Sequence, residues 1–186
     1  MKEIKLTQGK VSLVDDEDFE YLNQWKWCAQ KSNHTYYAVR EDYSSGHKKR
    51  IKMHRLIMGT LSNYQVDHAF HDGLDNRKFI EINGELKINL RNCTHRQNCI
   101  NKVGFGNSKY KGVYIQRAVR KRKTGITEYK YIRASIRLNN KTFYLGNFKT
   151  EVEAALVYDR FAKDLYGEFA NLNFKSQTGR LKEVQS

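Results

Sequence analysis

The chain contains no proline and only three cysteines in 186 residues. Cys28, Cys93 and Cys99 are an odd number with no Cys-x-x-Cys pair. This leaves neither a disulfide framework nor a zinc knuckle supported, and three reduced thiols in a cytosolic protein are the expectation. The missing proline carries no functional reading. No stretch approaches the roughly 20 apolar residues that a membrane helix needs. Met1-Lys2-Glu3-Ile4-Lys5 runs into Thr7-Gln8-Gly9 without the apolar core of a signal peptide. A cytoplasmic protein with no membrane partner is therefore expected.

Acidic residues are also scarce, with 20 against 34 Lys and Arg, a formal charge of +14. So large an excess predicts a polyanionic partner, and nucleic acid is the usual one. The excess is uneven. Residues 1–103 carry 17 basic and 13 acidic groups, a net of +4, whereas residues 104–186 carry 17 and 7, a net of +10. The length allows one large or two small domains with a buried core.

Residues 1–52 read as short strands and turns. Gly9 breaks the chain before Val11-Ser12-Leu13-Val14, which ends in the acidic cluster Asp15-Asp16-Glu17-Asp18, read as a solvated turn capping the next element. Phe19, Leu22, Trp25 and Trp27 predict a short helix leading into a strand, Tyr36-Tyr37-Ala38-Val39 a strand, and Ser44-Ser45-Gly46 a turn. Tyr64-Gln65-Val66 is a strand that delivers Asp67 and His68 to its end. Because adjacent strand residues face opposite ways, that pair serves one site only if the strand stops or bulges there. Asn83-Gly84 between Phe79-Ile80-Glu81-Ile82 and Glu85-Leu86-Lys87-Ile88 is a strong hairpin signal. Thr94 with Gln97 three residues on predicts a capped helix carrying Asn98.

Met53-His54-Arg55-Leu56-Ile57, Val66-Asp67-His68, Gly73-Leu74-Asp75-Asn76-Arg77, Asn89-Leu90-Arg91, Gln97-Asn98 and Asn101 together resemble the HNH endonucleases. The likeness runs from about Met53 to Asn101 and is strongest to the intron-encoded and free-standing homing enzymes of phages and bacteria, in which the last His is often Asn. It implies a ββα-metal active site, two strands and a helix clasping one cation. In it His68 is the general base, Asp67 and Asn98 hold Mg²⁺ or Mn²⁺, and Asn89 orients His68 through the loop backbone. Oxygen ligands favour these hard ions over zinc. The hairpin at 78–88 departs from the family pattern and leaves open whether Asn76 or Asn89 fills the middle role; Asn89 is preferred because Leu90-Arg91 comes directly after it. The nine-residue step from Asn89 to Asn98 matches the family. Arg91 and Arg96 are candidate phosphate contacts, and His71 and His95 read as solvated loop histidines.

Lys102-Val-Gly-Phe-Gly-Asn-Ser108 marks a linker, drawn at 104–109, after which the pattern changes. Ile132, Ala134, Ile136 and Leu138 give one apolar strand face, and Tyr131, Arg133, Ser135 and Arg137 a polar, basic one. Val113 and Ile115, then Phe143 and Leu145, alternate in the same way. Three strands with one apolar face need a cover. The expected cover is a helix from Thr150, with Glu153 at the capping-box position, to about Tyr166, turning Ala155, Tyr158, Ala162 and Leu165 inward.

Tyr110-Lys111-Gly112-Val113, Ala134-Ser135-Ile136-Arg137, Tyr144-Leu145-Gly146-Asn147-Phe148 and Ala170-Asn171-Leu172-Asn173-Phe174 resemble the ethylene-response-factor (Apetala-type) DNA-binding domain. That resemblance covers roughly residues 108–174, with the domain drawn at 110–174, and implies a sheet laid in the DNA major groove, with Tyr114, Gln116, Arg137, Thr142 and Tyr144 at base-contacting positions. Arg133 joins them on the polar face. Arg120, Lys121 and Arg122 read as a strand-connecting loop gripping phosphates. Residues 175–186 read as a polar tail.

The expected fold is α+β: a β-rich extension (1–52) and a ββα-metal nuclease core (53–103), then a three-stranded antiparallel sheet packed on one helix. The expected function is site-preferring hydrolysis of double-stranded DNA by a monomer, in a bacterial host and of mobile-element or phage origin. The rival is a sequence-specific DNA-binding regulator with a decayed nuclease. An RNA nuclease fits less well, since a sheet-face reader suits the B-form major groove.

Overall fold

Ile4 and Leu6 are buried in Lys2–Thr7 (β1) while Lys5 between them is exposed, the period of a strand with one wet face. The computed structural model describes residues 1–32, 35–102, 106–122 and 125–174; the side chains at 122 and 127 lie outside that description, as does the tail expected at 175–186. The chain is mixed α+β and sheet-rich, and it divides into two compact units, residues 1–99 and 100–186. Among the described residues no helix is long and apolar enough to cross a membrane.

In the first unit, β1, Val11–Val14 (β2), Trp27–Ser32 (β3), Thr35–Asp42 (β4) and Lys49–Lys52 (β5) form one sheet in the order β2-β1-β3-β4-β5. The β1–β3 pair is parallel and the others antiparallel. Asp16–Leu22 (α1) makes the crossover, and Trp27 donates its indole N–H to Leu22 O at 2.8 Å. Ile4, Leu6, Val14, Leu22, Trp27, Ala29, Ala38 and Met53 form the core. The acidic cluster is not a solvated turn. Asp16, Glu17 and Asp18 occupy the first turn of α1, where negative charge meets the positive end of the helix dipole. Asp15 stands at the N-cap position but makes no side-chain cap bond; its carboxylate accepts the Lys78 N–H at 2.7 Å instead.

Met53–Ile57 (α2) leads to Gln65–His68 (β6), which pairs antiparallel with Leu90–Cys93 (β9), and His95–Asn101 (α3) comes next. Thr94 and Gln97 bond reciprocally: Gln97 N–H to Thr94 Oγ1 at 3.3 Å, and Thr94 N–H to Gln97 Oε1 at 2.8 Å. Phe79–Ile82 (β7) and Glu85–Ile88 (β8) pair only with each other, as the expected hairpin. Its turn puts both Asn83 (φ 54°) and Gly84 (φ 78°) in the left-handed region, which Asn-Gly tolerates best.

In the second unit Val113–Arg122 (β10), Gly125–Leu138 (β11) and Lys141–Phe148 (β12) form an antiparallel sheet in that order. Glu151–Tyr166 (α4) covers its apolar face, with the full capping box between Thr150 and Glu153. Val113, Ile132 and Ala134 pack on Ala154 and Ala155, and Ile136 on Tyr158 and Ala162. Gly112, at φ 75°, lies so close to Tyr158 that a Cβ there would meet its ring at 1.9 Å. Buried Asp159 accepts the N–H groups of Asn173 and Phe174 at 2.9 and 2.8 Å and fastens the end of the unit. Two expectations are corrected. Leu165 is exposed, and Tyr166, one full turn beyond Ala162, packs on the cluster instead. Arg120, Lys121 and Arg122 are not in a connecting loop. They extend β10, opposite Thr127, Ile126 and Gly125, because the hairpin runs on beyond the helix as a two-stranded ribbon.

Candidate active site and nucleic-acid face

β6 ends at His68, where the chain turns: Ala69 N–H donates to Asn89 O at 2.9 Å and His71 N–H to His68 O at 3.0 Å. The strand therefore stops at the Asp67-His68 pair, each residue buried and directed to its own surroundings.

His68 Nε2 lies 3.2 Å from Asn76 Oδ1. Ser12 gives its hydroxyl proton to Leu74 O at 2.9 Å and accepts Asn76 Nδ2 at 2.7 Å. That network turns the Asn76 carbonyl oxygen toward His68, so Nε2 carries the proton and Nδ1 is the basic nitrogen. Edge-on His54 (ring centroids 4.9 Å apart) and tilted Tyr37 (5.7 Å) complete the surroundings. Burial holds the His68 pKa below its ordinary value, against the opposing pull of Asn76 and of Asp67, Asp72 and Asp75. The imidazole is thus neutral at neutral pH. His54 is pushed down to about 2, chiefly by burial and then by His68, and its Nδ1 has no hydrogen-bond partner among the described residues.

Asn76 is the alternative to Asn89 in the sequence, and the structure gives the two different tasks. Asn89 is fully buried and donates Nδ2 to the carbonyls of both Asp75 and Arg77 at 2.9 Å, bracketing Asn76. Its own Oδ1 is buried without a partner among the described residues. The β-rich extension grips the same segment from the other side. Leu13 N–H donates to Leu74 O at 2.9 Å and Asn76 N–H to Leu13 O at 2.8 Å. Gly73 is needed there because a Cβ would sit 2.4 Å from Tyr36 O. Asn76 touches His68 directly, yet its partner Ser12 lies 64 residues away, a link that no local pattern reveals.

Asp67 faces Arg91, its cross-strand partner in β9. Arg91 Nε and Nη2 both donate to Asp67 Oδ2, at 2.9 and 2.7 Å. Asn98, on α3, donates Nδ2 to Gln65 Oε1 at 2.6 Å, a bond that does not use its carbonyl oxygen. Gln65 and Asp67 are two apart on β6 and share a strand face, so the Asn98 carboxamide stands at the face that carries Asp67. Among the described residues, no cluster of three or more His, Cys, Asp or Glu is placed to hold a metal ion. His95 lies 3.2 Å from the Gln65 amide through Nδ1 rather than being solvated alone.

In the second unit, register puts the polar candidates on one face. Tyr114 stands opposite Arg133, Gln116 opposite Tyr131, Arg137 opposite Thr142, and Ser135 opposite Tyr144. A register shift at Ala134/Ser135 lets Leu145 join the core while Tyr144 keeps the outer face. All six of Tyr114, Gln116, Arg133, Arg137, Thr142 and Tyr144 are exposed. By strand alternation Arg120 continues this face along the ribbon and Lys121 takes the reverse. Arg133 lies over the Tyr131 ring at 5.9 Å, and Tyr131 stacks with Tyr129.

Compared with known proteins, the chain is 31% identical over 167 residues to an uncharacterized HNH endonuclease of Acanthamoeba polyphaga mimivirus, covering 89% of this chain and 76% of that one. A shorter stretch of 40 residues is 50% identical to a dehydration-responsive element-binding protein of Arabidopsis thaliana, covering 22% of this chain and 16% of that protein. No family model matches the chain. No solved structure matches it either.

Proposed function

The chain belongs to the HNH endonuclease family, and from that premise we propose that it is a metal-assisted endonuclease of double-stranded DNA. On this reading β6, β9 and α3 are the ββα-metal core, residues 1–52 are the scaffold that fixes its loop, and residues 110–174 are an Apetala-type DNA-binding domain beyond a linker at 104–109. The observation that carries the reading is the His68 site: a buried imidazole whose Nε2 is fixed by Asn76, next in the strand to the buried residue Asp67.

His68 Nδ1 takes a proton from water as the water oxygen bonds to phosphorus and the bond to the leaving sugar oxygen breaks. A positioned base of this kind contributes roughly a hundred- to ten-thousand-fold. Asn76 holds the tautomer, and Asn89 holds the loop that carries Asn76. Asp67 and Asn98 would hold Mg²⁺ or Mn²⁺. The donor set fits: one buried carboxylate and one carboxamide oxygen are hard ligands, and Mg²⁺ commonly takes few protein ligands and fills the rest with water and phosphate. When bound, such an ion neutralises charge on the scissile phosphate and the leaving oxygen.

Tyr114, Gln116, Arg133, Arg137, Thr142 and Tyr144 form the reading face, since a small sheet fits the major groove and such side chains reach base edges. Arg120 and Lys121 add phosphate contacts, and the third residue of that run, Arg122, has its side chain outside the described residues. The protein works as a monomer in the cytoplasm of a bacterial host, encoded by a phage or other mobile element.

The test is conversion of supercoiled plasmid, carrying a genomic library from the source, to nicked or linear form. Purified protein is assayed with and without Mg²⁺ or Mn²⁺ beside His68→Ala and Asn98→Ala. Metal-dependent cleavage that both variants lose is the expected result. Intact plasmid in every lane, with DNA still shifted on a gel, would replace the enzyme by the rival regulator with a decayed nuclease.

A further inference from the structure

Asn-Leu-Arg does more than mark a family. Leu90 and Cys93 are buried, and Arg91 lies between them in β9, directly across the strand pair from Asp67. Cross-strand neighbours share a face, so a base at 91 and an acid at 67 meet by register alone. They meet closely: Nε and Nη2 of Arg91 converge on one oxygen, Oδ2, at 2.9 and 2.7 Å. The side chains are only 10% and 6% exposed. A pair shielded from water this far is no ordinary surface contact, because removing one partner leaves the other charge uncompensated.

This geometry has a consequence for the residue that, on the reading above, holds the metal. A lone buried carboxylate would attract a divalent ion strongly and would destabilise the protein until one arrived. Asp67 has its charge matched already.

We propose that Arg91 is a stand-in cation at the metal site. It holds the Asp67 carboxylate aimed in the metal-free protein, and it yields Oδ2 when a divalent ion loads. The released guanidinium then pairs with a phosphate of the bound DNA, a planar fork suited to that partner. Arg91 is in this sense a positioning residue, and it couples the two ligands. Without DNA the ion competes with Arg91 for Asp67. With DNA, Arg91 has somewhere else to go, so each ligand strengthens the binding of the other by the same factor. An enzyme so built loads its metal mainly when DNA is in place.

The inference rests on Asp67 being a metal ligand, and the experiment separates the two claims. Mn²⁺ is titrated into the full-length free protein while the signal of unbound Mn²⁺ is followed by electron paramagnetic resonance. Wild type, R91M, R91K and D67N are compared. R91M is expected to bind Mn²⁺ about tenfold or more tightly than wild type, an ordinary size for a coupling between sites. R91K, which keeps the charge, is expected to stay near wild type. Equal or weaker binding by R91M overturns the proposal and makes Arg91 a plain orienter of Asp67. If D67N binds Mn²⁺ as wild type does, the metal assignment itself falls, and the proposal with it.

R91M exposes the unit to an unpaired buried charge and can fail to fold, so wild type supplies a second readout. The Arg91 Nε–H resonance should shift when Mg²⁺ is added to the protein–DNA complex. A resonance that Mg²⁺ leaves in place overturns the displacement.

Discussion

Asn89→Ala tests how the site is held. The Asn89 amide is fully buried and gives Nδ2 to two carbonyls, Asp75 O and Arg77 O, each at 2.9 Å. Truncation leaves both carbonyls, one in a buried and one in a part-buried setting, without that donor, at about 1–3 kcal/mol each. It also removes the orphaned Oδ1 and so returns an amount of the same order. Two losses against one gain, with a small cavity added, leave a net destabilisation of about 2–3 kcal/mol. For a unit near 100 residues that is a fall in melting temperature of roughly 10–20 °C. The assay is built into the chain, since both tryptophans, Trp25 and Trp27, lie in the first unit and their fluorescence reports its unfolding alone. Asn89→Asp sharpens the test. It keeps the volume but turns a donor into an acceptor facing two carbonyls, and it should cost more than Ala. A loss below about 1 kcal/mol for Ala, or an Asp variant as stable as the Ala variant, would refute the clasp.

Two further outcomes rest on burial and charge. The folded-state pKa of His54 is pushed down to about 2, so its contribution to stability is present above an unfolded pKa near 6.5 and is lost as pH falls below it. The expected loss is about 1.4 kcal/mol per pH unit, read by urea titration of tryptophan fluorescence between pH 7 and 5. His54→Phe should reduce that dependence to the share left by His68, whose pKa burial also lowers, and an unchanged slope would show that other groups dominate. In the second unit, Arg120→Ala and Lys121→Ala should each lower the slope of log K against log salt by about 0.9 for a lost phosphate contact. Slopes unchanged in both variants would remove the ribbon from the DNA interface.

The parts of the fold that rest on neighbouring residues are legible in the sequence. Thr150 with Glu153, Thr94 with Gln97 and the Asn83-Gly84 turn all work within a few residues, and each appears where the chain places it. Strand faces are legible wherever one side is buried, as at Ile132, Ala134 and Ile136. The run at Arg120 reads wrongly as a loop because beyond α4 both ribbon faces meet water, and the period-2 signal vanishes with the burial that causes it. Nothing local announces the parallel β1–β3 pairing, which depends on α1 making a crossover. The task of Asn76 is hidden for the same reason: its oxygen is aimed by Ser12 from a strand at the other end of the unit.

The Lys78 carbonyl accepts the N–H groups of both Asn89 and Leu90, at 2.8 and 3.2 Å, while Asn89 Nδ2 ties Arg77 O. The two stems of the β7–β8 hairpin are thus knotted together before the hairpin begins. Whatever is strung between residues 78 and 89 hangs from a closed ring, and lengthening a flexible segment twofold costs only about 0.6 kcal/mol in closure entropy. The position is a docking port for foreign sequence. A binding peptide, a fluorophore tag or a two-residue turn could replace the hairpin, and the geometry around His68 would register none of them.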